Sequence, residues 1–136
     1  MANSIMALDV GGKRIGVALM TDQVKIPRTL TTLDNQPSVI EDIKLLAKEH
    51  QVTDLVVGHP RDMQGQSTDQ TKFSVDFADT LKHALSLPVH LQDEALTSIQ
   101  AENILKQSKK PYQKADIDAQ AACLILEDYV KEQGLV

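Results

Sequence analysis

The sequence predicts an α/β fold: a mixed sheet, built from a three-strand antiparallel meander followed by parallel strands, with helices on both faces. Three observations lead there. Residues 4–32 carry three short apolar runs separated by turn residues. Beyond them, segments of helical and strand periodicity alternate, and a meander that passes into such alternation builds a mixed sheet covered on both sides. The 136-residue length suits one domain, 1–136, and no repeat, low-complexity stretch or linker divides it.

The elements follow in order. Ser4 to Asp9 reads as a buried strand, and Ile15 to Met20 as its partner across a turn through Gly11 and Gly12. Ile26 to Thr32 is the third strand; Pro27 puts it at an edge or makes it start late, because proline cannot donate to a ladder. Ser38 and Glu41 have capping-box spacing, and Ile40, Ile43, Leu46 and Ala47 then form the apolar stripe of a helix. Asp54 to Gly58 is near-continuously apolar, as a strand covered on both faces requires. After a polar loop from His59 toward Asp69, Phe73, Phe77, Leu81 and Leu85 recur every four residues, a second helix. Val89 to Leu91 is the last strand, ending at Asp93 and Glu94. Thr97 and Gln100 open a third helix. Ser108 to Ala115 is a loop, and Asp116 is the natural N-cap of a final helix with Ile117, Ala121, Leu124, Ile125 and Tyr129 along one side.

Composition sets limits on function. Hydrophobic residues make up 42% and charged residues 24%, ordinary for a globular protein. Aromatics are 3% with no Trp, so the core is aliphatic and stacking platforms for bases are scarce. Cys123 is the single cysteine, which rules out an internal disulfide and a thiolate metal cage and suits a reducing cytosol. There is no signal-peptide pattern and no apolar run near the ~20 residues of a membrane span, so the expectation is a cytoplasmic protein with no membrane partner. Fourteen basic against 19 acidic residues give a net charge of −5, which argues against holding nucleic acid by bulk charge. A local basic patch remains compatible with it.

The most informative stretch is Ile5 to Ala18. An apolar strand ends in Asp9, turns through Gly11 and Gly12, and resumes. Asp is depleted in strands and costly to bury without a partner or a metal. The glycines allow positive φ and close backbone approach, which suits a phosphate-bearing ligand. A strand that merely ends at a polar turn is the plainer alternative. Two further acids stand at element ends: Glu94 after the last strand and Asp118 in the first turn of the last helix. Positions three, four and seven after Asp118 are Ala121, Ala122 and Ile125, so Asp118 shares the apolar face and points to the sheet. Its plainer alternative is an acid favoured by the helix dipole. Carboxylates converging on one spot repel. A hard divalent cation resolves that, since Mg²⁺ and Mn²⁺ take oxygen ligands.

These motifs are similar to those of the YqgF/RuvX family. The matching segments are Leu8 to Ala18, Val56 to Pro60 with Met63 to Gly65, Asp93 to Ser98 with Ala101 and Glu102, and Lys114 to Ala122. They occur in the family's order and cover nearly the whole chain. The resemblance implies a ribonuclease H-like fold and a Mg²⁺- or Mn²⁺-dependent nuclease. Its substrate would be precursor 16S ribosomal RNA or, as a Holliday junction resolvase, branched DNA. Asp9, Glu94 and Asp118 match the family's catalytic and metal-holding acids. Lys13, Arg14 and Thr97 lie in the matching motifs and are implied substrate contacts; Lys110, from the lysine cluster before Asp118, is a further candidate substrate contact. Ala95 departs from the family's Arg and removes a guanidinium that would grip phosphate. His59 replaces an apolar residue.

Lys106, Lys109, Lys110 and Lys114 precede Asp118, and Lys13, Arg14, Lys25 and Arg28 flank the first hairpin. If both groups border the acids they form a phosphate-binding rim; otherwise they are solvated surface. Two rival readings exist. An actin-like or sugar-kinase ATPase shares the Asp-x-Gly turn but needs two such domains. A nucleic-acid-binding ribosome-maturation factor with weak catalysis is the other, and Ala95 favours it. A monomer or a homodimer fits the sequence equally.

Overall fold

The computed structural model describes residues 3–21, 23–60, 69–94, 97–108 and 110–134, with the side chains of 59–60, 69–71, 93–94 and 97–100 outside the description. β1 (Ser4–Val10) lies at the centre of a five-stranded sheet of order β3-β2-β1-β4-β5. Its residues are buried apart from half-buried Asp9, which explains the unbroken apolar run. β2 (Arg14–Thr21) pairs antiparallel with β1, and β3 (Arg28–Asp34) antiparallel with β2. β4 (Asp54–Pro60) and β5 (Val89–Glu94) continue the sheet in parallel with β1. The meander and the parallel half are those read from the sequence. Pro27 has both effects expected of it: β3 starts at Arg28 and occupies an edge.

Strand alternation sorts side chains onto two faces. Met6, Leu8, Val10, Ile15, Val17, Leu19, Leu55 and Val57 form one core with α1 (Val39–Glu49) and α2 (Asp69–Leu85). Ile5, Ala7, Ala18, Met20 and Val56 form the other with α4 (Lys114–Glu132). α3 (Thr97–Gln107) packs on α4 and places Ala101 in that layer. At the far end of α4, the Tyr129 ring meets His90 of β5 at 5.4 Å. Burial and then the Asp54 carboxylate push the Tyr129 phenol up.

Several local expectations change. Ser38 is the N-cap of α1 but makes no capping bond to the backbone; its hydroxyl faces Asp42 at 3.4 Å, so the box with Glu41 does not form. α4 begins at Lys114, two residues before the expected cap. Asp116 stands at the third helical position and accepts the Gln113 N–H at 2.8 Å. Ile117 and Leu124 are half-buried, whereas Ala119, Ala122, Cys123 and Leu126 are buried with Ala121, Ile125 and Tyr129. α4 is covered over a wider arc than one stripe because it lies between the sheet and α3.

Cys123 is buried, and burial, followed by the Glu127 charge, raises its thiol to about 11. The thiolate is the nucleophile, so the native protein should resist a thiol reagent at pH 8 and react fully once unfolded in urea. Rapid native labelling at pH 8 would contradict the buried placement.

Candidate active site

The site is built on the row of residues at the carboxyl end of β1. Asp9 pairs with Gly16 across the antiparallel ladder, so both project to the same face. That face is the one α4 covers, because Ile5 and Ala7 on β1 and Ala18 and Met20 on β2 all belong to its core. The Asp9 carboxylate is therefore aimed beneath α4.

α4 comes down closest at Gly16. A Cβ there would collide with the carbonyl oxygen and carbon of Asp118 and lie 2.8 Å from the Ala119 nitrogen. The helix backbone rests on the strand at that point. Glycine inside a strand marks such close approach. Asp118 is thus set down beside Gly16, the cross-strand partner of Asp9. It is in the second turn of α4, because the helix starts at Lys114. The dipole-and-cap explanation belongs to Asp116, and Asp118 needs another.

That explanation is Arg14. Its Nε donates to Oδ2 of Asp118 at 2.6 Å, joining residues 104 apart in sequence. Arg14 opens β2 two residues before Gly16 and so shares its face. The side chains are 33% and 22% exposed, so the pair is shielded from water without being sealed. A guanidinium bonded to a carboxylate offsets its negative charge. Two more bonds hold the surroundings. Thr32 Oγ1 of β3 donates to the Ala115 carbonyl at 2.5 Å, tying α4 to the sheet edge. Asn35 donates through Nδ2 to the Gly11 carbonyl and through its backbone N–H to the Lys13 carbonyl, both at 2.8 Å, which braces the β1–β2 turn.

The glycines of that turn act otherwise than expected. Among the described residues, Gly134 is the only glycine with positive φ. Gly11 is needed for close approach, since a Cβ would stand 2.8 Å from the Arg14 carbonyl, while Gly12 faces open space. Gly16, Thr32 and Asn35 were not singled out from the sequence. Only Gly16 carried a legible signal, a glycine inside an apolar strand.

The remaining predicted residues are placed as follows. Glu94 ends β5, two strands from β1, which is roughly 10 Å across the sheet at 4.8 Å per strand. The registers Leu8–Val57 and Val57–Leu91 put it two positions beyond the level of Asp9, and its side chain lies outside the described residues. The side chains of Thr97 and His59 and the whole of Ala95 are also outside them. Lys13 is exposed at the turn. Lys110 lines a groove on the outer side of α4. Among the described residues, no three His, Cys, Asp or Glu side chains form a metal cluster. No helix among them is long and apolar enough to cross a membrane.

A model of the RuvX family, described as Holliday junction resolvase, matches residues 3–132. A Chloroflexus aurantiacus relative named "Putative pre-16S rRNA nuclease" is 45% identical over 130 residues, covering 93% of this chain and 85% of its own. A Rickettsia typhi relative of the same name is 41% identical over 127 residues, 90% of this chain and 81% of its own. Among solved structures, Thermus thermophilus RuvC is similar with a TM-score of 0.58 at 11% identity, over 96% of both chains. The fowlpox virus Holliday junction resolvase gives 0.56 at 13%, over 96% of this chain and 99% of that one. These two likenesses establish the ribonuclease H-like fold. With the family model spanning nearly the whole chain and relatives above 40% identity, the chain belongs to the RuvX family.

Proposed function

We propose that the protein is a divalent-cation-dependent nuclease that hydrolyses phosphodiester bonds in maturing the 5′ end of precursor 16S ribosomal RNA. The observation that supports this reading is the backbone of Asp118 seated against Gly16, the cross-strand partner of Asp9. Two carboxylates supply hard oxygen donors, the chemistry that suits Mg²⁺ or Mn²⁺. Asp9, Asp118 and Glu94 would hold the ion, which when bound polarises the phosphoryl oxygen and lowers the pKa of a water. Arg14 positions the Asp118 carboxylate. Its Nε uses one of five N–H donors, which leaves the others for a phosphate oxygen. Lys13 adds a cation at the mouth of the turn. The site lies at the carboxyl ends of parallel strands, where open α/β sheets place their ligands.

The relatives' names favour RNA. Branched DNA is the second reading, supported by the likeness to RuvC, which has also been solved with a Holliday junction at a TM-score of 0.56. One experiment separates them. The purified protein is given a precursor 16S fragment carrying its 5′ leader and a four-way DNA junction, with Mn²⁺, Mg²⁺ or EDTA. Cleavage of the RNA with metal, absent in EDTA and in Asp9→Asn, is the expected result. Cutting confined to the junction would install the resolvase reading. Binding of either substrate with no cleavage would leave a maturation factor.

A further inference from the structure

Of the two basic segments noted in the sequence, the one before α4 reaches a groove beside that helix, through Lys110. One hollow of about 230 Å³ is lined by Thr29 of β3, by Ser108, Lys110 and Tyr112 of the α3–α4 loop, and by Asp116 and Gln120 of α4. A second of about 300 Å³ adjoins it along β3, through Thr31 and Thr32 to Ala115. They share Thr29, Asp116 and Ala119, so they form one channel between the sheet edge and the start of α4. Lys114 precedes Ala115 and is exposed, whereas Arg28 pairs with Leu19 and so projects to the opposite face of the sheet. On a chain of net charge −5, two cations, Lys110 and Lys114, thus stand at one channel.

The lining has the parts that an unpaired nucleotide needs. Tyr112 is half-buried, and its hydroxyl donates to Glu102 of α3 at 3.4 Å, which orients the ring. Pro111 and Leu105 flank it. Thr29 and Gln120 offer hydroxyl and amide groups, and β3 is an edge strand of the sheet. Asp116 opposes a polyanion, but its Oδ2 is engaged with the Gln113 N–H. A hollow of this size takes one base and is far too small for a duplex. Only an unstacked base exposes a face to an aromatic ring.

We propose that this channel is a subsite for a single-stranded segment of nucleic acid. One base lies on Tyr112, and the flanking phosphates run past Lys110 and Lys114. The proposal rests on the nuclease reading for its relevance: α4 connects the channel to Asp118, so a strand held there leads to the acids. A single ring also reconciles the low aromatic content with base stacking, because one anchored nucleotide needs no extended platform.

The test is fluorescence anisotropy in EDTA, where no cleavage occurs, with labelled 12-nucleotide RNA, the DNA of the same sequence and the duplex of each. Single strands should bind more tightly than duplexes. Tyr112→Ala should weaken single-strand binding about tenfold and Tyr112→Phe should not, because the ring stacks and the hydroxyl only orients it. Lys110→Ala should weaken it several-fold and reduce the salt slope by about 0.7, one phosphate contact on a single strand. Duplex bound as tightly as single strands, or Tyr112→Ala bound like the parent with an unchanged melting temperature, would overturn the proposal. Preference between the RNA and DNA strands assigns the source of the segment. Intact single-strand binding in a protein that cuts nothing with Mn²⁺ would defeat the nuclease reading alone.

Discussion

Gly16→Ala should cost about 3 kcal/mol or more and lower the melting temperature by roughly 10 °C. The new Cβ meets the Asp118 carbonyl and stands 2.8 Å from the Ala119 nitrogen. These are backbone atoms in a helix already seated on Ile5, Ala7, Ala18 and Met20, so no rotamer change relieves the clash. α4 must lift or β2 must sink, and interiors resist both. Against a total stability of about 5–15 kcal/mol the loss is large. Gly12→Ala is the control: nothing lies within 4 Å of its Cβ, and its stability should stay near that of the parent. Urea unfolding of the two variants checks the pair of expectations. Gly16→Ala with parental stability would mean that α4 does not rest on β2 there. Where the variant still folds, cleavage should fall about a hundredfold, since displacing a reacting group by about 1 Å costs that much.

Asp118→Asn should lower cleavage on the order of a thousandfold, as loss of a preorganised charge in an active site does. Asp116→Asn, two residues away, should leave cleavage within a few-fold. The difference follows from what each acid touches. Asp118 meets Arg14 on the face shared with Asp9, whereas Asp116 accepts the Gln113 N–H at the start of α4. Asparagine keeps the shape at both positions and removes the charge. Circular dichroism should show both variants folded, so that the kinetic contrast reports chemistry. Equal losses in the two would mean that the helix start, and no particular carboxylate, governs activity.

The choice between these two acids shows how far the sequence could be read. Helical spacing alone turned Asp118 toward the sheet, and the structure places it there. The element order and mixed sheet were equally legible, because apolar periodicity is a local property that β1, α2 and β4 each carry in full. The start of α4 was misread by three residues, since Asp116 is a good cap by residue type and serves instead at the third position. Two parts of the site were out of reach for a different reason. Arg14 looked like a substrate contact because nothing local shows that its partner lies 104 residues away. Gly16 showed only as a glycine inside an apolar strand, and what it must accommodate is the backbone of another element. The two hollows of the channel also join elements distant in sequence, Thr29 to Gln120, which no window of residues displays.

The 104-residue gap between Arg14 and Asp118 has a consequence in time. Asp9, Arg14 and Gly16 are made early, and Asp118 follows only after all five strands. At roughly 5–20 residues per second, synthesis keeps the two halves of the site apart for about 5–20 s. During that interval the strand face carrying Asp9 has no helix over it and no second acid beside it. A nuclease assembled in this order stays silent while its first half emerges from the ribosome. Under the proposed function, it would become competent only when α4 has been made and docks.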